Sequence, residues 1–179
     1  MIEKLISLAL AKGADKAGVV DMADVVFDRA FRDTCRTNVC GQYGKNWACP
    51  PDVGEIDELM ANAKRFSKML VFQTIRPLED SYDFEGMQEA AALHRALVVE
   101  LYRLFREQEP DGLMLSAGGC NYCERCTRKD DLPCCAPENA LASLEAYGVN
   151  VSELAAAAGM KYINGQNTVT YFGAFLYRE

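Results

Sequence analysis

The sequence is poor in histidine: His94 stands alone among 179 residues. A Cys–His pair or a Ser–His–Asp set is open to the chain only if that one side chain is used. His94 falls among apolar neighbours in a helical pattern, where a half-buried structural residue is the simpler reading. Long apolar runs are missing as well, and none approaches the ~20 residues that a membrane-spanning helix needs. No basic run exceeds two residues and the net charge is −7, which disfavours nucleic acid and anionic membrane as partners. The first residues carry Glu3 ahead of any apolar run and pass into Lys12-Gly13-Ala14-Asp15 without a cleavage-like context. No secretory signal is expected, and the expected location is cytoplasmic. A phosphate loop, a dinucleotide fingerprint and paired carboxylates are all missing; Gly41-x2-Gly44 and Gly118-Gly119 are too short to claim a nucleotide.

What the chain has in plenty is cysteine, eight in all. An even number invites disulfides. Three features oppose them: no secretion signal, a chain long enough to build an apolar core, and thiols gathered in two short segments. Thiols gathered this way read as metal ligands in a reducing compartment, and their oxygen sensitivity suits a low-oxygen cell.

One segment is Gly118-Gly119-Cys120-Asn121-Tyr122-Cys123-Glu124-Arg125-Cys126, followed by Pro133-Cys134-Cys135. Its C-x2-C-x2-C spacing lets three sulfurs converge on one point, as three corners of an iron–sulfur cube require, with a fourth thiolate from elsewhere. A structural zinc site usually draws on separated pairs, so the third close cysteine favours iron–sulfur, with zinc as the alternative. The other segment, Cys35 to Pro51, holds Cys35, Cys40 and Cys49 as C-x4-C-x8-C-P-P. Its glycines, prolines and asparagines predict a loop, and a loop this long in a compact domain is usually functional.

The ligand pairing stays open. Cys134 can complete Cys120, Cys123 and Cys126, leaving Cys35, Cys40 and Cys49 a second site with Cys135 or an outside fourth ligand. Alternatively Cys49, followed by Pro50, completes the triplet as in ferredoxins. Cys135 is the weakest ligand candidate. One or two clusters per chain are expected. Arg29, Arg32, Arg36 and Lys45 around the first thiols are expected to lower their pKa values. A helix opening at Pro137 is expected to aim free N–H groups at Cys134 and Cys135.

For the fold, the sequence predicts an α/β (or α+β) chain, a single domain over 1–179. A small central sheet of about four strands would carry packed helices and the two cysteine-rich loops. Helical spacing marks 2–12, 55–66, 84–108, 137–148 and 152–158, the last capped by Ser152. Buried strands are expected at 17–20, 69–75, 113–117 and 168–177, with the first inside the sheet. Residues 25–33 are compatible with a helix leading into the first cysteine loop.

Cys-x4-Cys-x2-Tyr-Gly-Lys-x-Trp-x-Cys-Pro-Pro at 35–51 and Gly-Gly-Cys-x2-Cys-x2-Cys at 118–126 resemble the prokaryotic predicted metal-binding protein family called domain of unknown function 2284. The runs Pro133-Cys134 to Pro137-Glu138 and Ser143 to Val151 are similar to that family's too. The chain departs at Cys135, where the family more often has Arg. The resemblance implies metal binding through the cysteines and no settled reaction. From the thiols, the leading expectation is a small iron–sulfur protein of the [4Fe–4S] type, passing electrons to a partner redox protein. The alternatives are an enzyme with an open-site cluster or catalytic zinc, and a zinc-binding structural or regulatory module.

Overall fold

Two ten-residue stretches, Lys68–Pro77 and Thr168–Tyr177, pair antiparallel along their whole length and form the middle of a sheet. The computed structural model describes residues 2–179. Along it run α1 (Ile2–Lys12), β1 (Lys16–Asp21), α2 (Arg29–Asp33), α3 (Ile56–Ala63), β2 (Lys68–Pro77), α4 (Phe84–Gln108), β3 (Leu113–Ser116), β4 (Ala142–Ser143), α5 (Val151–Ala157) and β5 (Thr168–Tyr177). The strand order is β1-β2-β5-β3-β4. Every pairing is antiparallel except β3 with β4.

The sheet is buried on both faces, which is why β2 reads as an unbroken apolar run rather than an alternation. Met69 and Val71 enter one core with Phe172, Ala174 and Leu176. Leu70 and Phe72 enter the other with Phe175 and Tyr177. The helices α1 and α4 cover this second face through Leu5, Ala9, Leu97, Leu101 and Phe105. The first face is covered by Leu154 and Ala155 of α5, by Leu144 and Val149, and by Ala48 from the first cysteine loop. One of the metal-type loops is therefore part of the core packing.

Several expectations change. The strand β1 lies at an edge, not inside the sheet. Its ends, Lys16 and Asp21, are exposed, and its short Ala-Gly-Val-Val run has only β2 to pair with. The sheet has five strands because 137–148 is not an α-helix. Pro137–Asn139 makes a single 3-10 turn, then Ala142–Ser143 pairs in parallel with Leu115–Ser116. Leu144 N–H donates to the Ser116 carbonyl and Leu141 N–H to the Cys120 thiol, so tertiary partners take the donors a helix would have used. Between 25 and 33 only α2 is helical. Asn150, not Ser152, caps α5, its side chain accepting from Glu153 N–H at 3.1 Å.

His94 is buried rather than half-buried. Its Nε2 lies 3.2 Å from the Phe172 carbonyl and its Nδ1 2.9 Å from the Thr74 hydroxyl. A carbonyl can only accept, so Nε2 carries the proton and Nδ1 accepts from Thr74. The ring belongs to the core and takes no part in the thiol sites. Burial, together with Arg95 and Arg76, outweighs the Phe172 bond and depresses the His94 pKa to about 4. An unfolded chain takes up this proton near pH 6.5. Between the two values the unfolded state holds more protons, so stability is full above pH 6.5 and falls as pH drops towards 4. The loss expected over that window is roughly 3 kcal/mol. Urea unfolding at pH 7.5 and pH 4.5 checks it: the midpoint difference should shrink in His94→Gln.

Candidate metal centre

The strand β3 delivers the chain through Ala117, Gly118 and Gly119 into the second cysteine segment, as expected of a loop at the carboxyl end of a strand. Gly118 has φ +73, a left-handed conformation that costs glycine little. At Gly119 an added Cβ would stand 3.0 Å from Asn46 Nδ2 and 3.1 Å from Gln42 Cγ, so the two cysteine loops meet there.

The contact is built from side chains of the first loop reaching the backbone of the second. Buried Asn46 donates to the Cys120 carbonyl at 2.9 Å, while its Oδ1 accepts from Ala48 N–H at 3.1 Å. Trp47 Nε1 donates to the Leu132 carbonyl at 3.0 Å. Arg128 stacks over the Trp47 ring, 5.3 Å from its centroid, and pairs with Asp52 at 2.9 Å. Trp47 thus closes the two loops on each other and also lines the thiol pocket.

The thiols fall into two groups. Cys120, Cys123, Cys126, Cys134 and Cys135 line one narrow apolar pocket with Trp47 and Tyr122. Cys123 Sγ and Cys135 Sγ are 3.1 Å apart. Two backbone donors face this group: Leu141 N–H reaches Cys120 Sγ at 3.3 Å and Trp47 N–H reaches Cys126 Sγ at 3.5 Å. Cys35, Cys40 and Cys49 line a separate cavity of about 410 Å³ with Tyr43, Ser143 and Glu145. Cys49 is buried, and Cys120 lies near enough to act on its thiol, so the two groups adjoin there. Among the described residues, no group of three or more Cys, His, Asp or Glu side chains is placed so that it could hold a metal ion.

The charges do not act as the sequence suggested. Arg29 pairs with Asp57, and Arg36 lies 3.9 Å from Asp33. Arg32 donates to the carbonyls of Ala146 and Gly54, at 3.0 and 2.7 Å. Its charge favours the Cys35 thiolate, but burial, Glu145 and Cys40 outweigh it and push that thiol up. Burial and the neighbouring thiols push Cys49 up to about 12. Cys123 is pushed up to about 11, first by its bond with Cys135. Arg125 and Arg128 are likewise engaged by Asp130, Asp52 and Asp131. Pro137 opens a three-residue turn and offers no helix dipole to Cys134 and Cys135. A thiolate state here would therefore rest on N–H donors and on a cation that displaces the thiol protons.

The donor set suits a thiolate-bound metal. The structure groups Cys135 with the thiols of the second segment, a placement that side-by-side numbering with Cys134 did not suggest. Glu145 was missed because 137–148 read as a helix. It comes to the thiols only once β4 pairs with β3. A groove of about 720 Å³, bordered by Phe66, Tyr102, Arg106 and Tyr147, shares Trp47 and Cys134 with the second group's pocket.

Loosening the loop contact should cost metal before it costs fold. Asn46→Ala removes two hydrogen bonds, worth about 1 kcal/mol each, and Gly119→Val forces the loops apart. Both variants should retain helical circular dichroism yet carry less metal per chain after oxygen-free purification, measured by elemental analysis.

No curated protein and no solved structure matches the chain. A family model does match, over residues 18–177, and both cysteine loops fall inside that span. The chain therefore belongs to the family described as predicted metal-binding protein, DUF2284.

Proposed function

We propose that the pocket at the carboxyl end of β3 holds an iron–sulfur cluster of the [4Fe–4S] type and that the protein passes single electrons to a partner redox protein. The observation that carries this reading is the gathering of Cys120, Cys123, Cys126, Cys134 and Cys135 around one apolar pocket. Four thiolates complete a cube's coordination, and five are at hand. Bound there, the cluster would supply one reversible electron.

The chain's own residues have definite tasks in this reading. Leu141 N–H and Trp47 N–H donate to Cys120 and Cys126 and stabilise negative charge on sulfur. Trp47 and Tyr122 keep water from the pocket. Cys135 is exposed and Cys134 partly so, which brings an edge of the site close to the surface for electron exchange. A carrier needs only a small, transient contact with its partner. The net charge of −7 favours a partner with a basic docking face.

A second reading, an enzyme, draws support from the groove of about 720 Å³ that reaches Cys134. It offers a substrate a place beside the thiols, with the Arg106 guanidinium available to an anionic group.

Oxygen-free purification decides between metals. The expected protein is brown, with broad absorption near ~400 nm and iron and sulfide in equal amounts. A colourless protein carrying zinc would overturn the cluster. Two sulfurs on one tetrahedral zinc lie about 3.8 Å apart, not far from the 3.1 Å between Cys123 and Cys135. Reversible one-electron reduction supports the carrier. A spin signal that changes when small organic acids are added supports the enzyme.

A further inference from the structure

Cys123 and Cys135 face each other directly. Their sulfurs lie 3.1 Å apart, and among the described residues this is the one hydrogen bond that joins two thiols. The contact is shorter than the ~3.8 Å between two sulfurs on one tetrahedral zinc and about 1 Å longer than a disulfide bond. The chain between the two residues is folded back on itself. Leu132 N–H donates to the Thr127 carbonyl at 3.1 Å, and the Thr127 hydroxyl donates to the Pro133 carbonyl at 2.9 Å. Arg125 pairs with Asp130 at 2.7 Å, and Trp47 Nε1 holds the Leu132 carbonyl at 3.0 Å. These bonds, none of them to sulfur, return Cys135 to Cys123.

Access differs among the five thiols of this pocket. Cys135 is exposed, while Cys120, Cys123, Cys126 and Cys134 are half-buried. An oxidant arriving from solvent therefore meets Cys135 first, and Cys123 stands within reach of the oxidised sulfur. The pocket also has one thiol more than the four a cube takes. With Cys123 and Cys135 bonded to each other, Cys120, Cys126 and Cys134 remain, one short of that number.

We infer that Cys123 and Cys135 are a redox pair: hydrogen peroxide converts them to a disulfide, which closes the pocket to metal until a thiol reductant reopens it. The steps balance. The Cys135 sulfur attacks one peroxide oxygen, the O–O bond breaks, and the other oxygen leaves as water with the thiol proton. The Cys123 sulfur then attacks the sulfenic sulfur of Cys135. An S–S bond forms, the S–O bond breaks, and a second water leaves with the Cys123 proton. Two electrons pass from the thiols to the peroxide.

Closure of the pocket rests on the premise of the proposed function that these thiols are ligands; formation of the disulfide does not. The test uses the full chain, purified without oxygen, freed of metal with a chelator and treated with one equivalent of hydrogen peroxide. Alkylation, digestion and mass spectrometry should find peptides joined through Cys123 and Cys135, with the other thiols alkylated. Cys123→Ser and Cys135→Ser should each lose this link. Iron(II) with sulfide, or zinc(II), is then offered to the reduced and the oxidised chain. The share of uptake that Cys126→Ser loses marks this pocket. That share should fall at least tenfold on oxidation and return with dithiothreitol. Links spread over many thiols, no link at all, or an oxidised chain that loads like the reduced one would each overturn the inference. A linked chain that takes up zinc and never turns brown would sink the iron–sulfur reading and leave this one standing. A brown protein that forms no link would do the reverse.

Discussion

The structure depends on one polar contact, the Asn46 side chain bridging two loops distant in sequence. Its amide donates to the Cys120 carbonyl and its carbonyl accepts from Ala48 N–H. Asn46 is buried, so both bonds must be made or the group becomes a liability in the core. Satisfying them fixes the first loop's turn and its seat against the second loop in one step. Gly119 permits the approach because a side chain there would collide with Asn46 and Gln42. Ala48, next along the chain, is packed into the core, so the hydrophobic effect pulls on the same joint that the asparagine specifies.

Around that joint the fold accepts an electrostatic cost. Five thiols line one pocket and three thiols with a partly buried carboxylate line another, while the arginines nearby are turned to carbonyls or to other acids. Thiols crowded and buried this way hold their protons more tightly, as Cys49 and Cys123 do. Such a site is poor at holding bare thiolates and well made for exchanging protons for metal. Belonging to a family of predicted metal-binding proteins is consistent with this chemistry.

The asymmetry between the two groups has a topological origin. The second group stands on the loop that leaves β3, a strand inside the sheet. The first group stands on a loop held by packing, with Ala48 set into the core on one face of the sheet and the end of β4 beside its thiols. The pairing of β3 with β4 is the sheet's one parallel ladder, so two chain segments leave its carboxyl end side by side. Gly118 leaves from one and Glu145 from the other, and both reach the same cavity.

Much of this was legible in the residues alone. The ten-residue β5, the 25-residue α4 and the glycine-ended α1 follow from apolar periodicity and punctuation, which act locally. The cysteine spacings announced two metal-type loops because x2 spacing is itself a geometric constraint on sulfur. Local signals did not reach residues 137–148. Their composition favours a helix, but long-range hydrogen bonds to Ser116 and Cys120 claim the donors first, and only the folded chain supplies those acceptors. The same holds for the arginines, whose charge was readable and whose partners were not. Sequence alone determined which atoms are available to bind metal. Tertiary structure decided how they sort, since the nearness of Cys135 to Cys123, of Glu145 to Cys35, and of Cys49 to Cys120 each joins segments that no local rule connects.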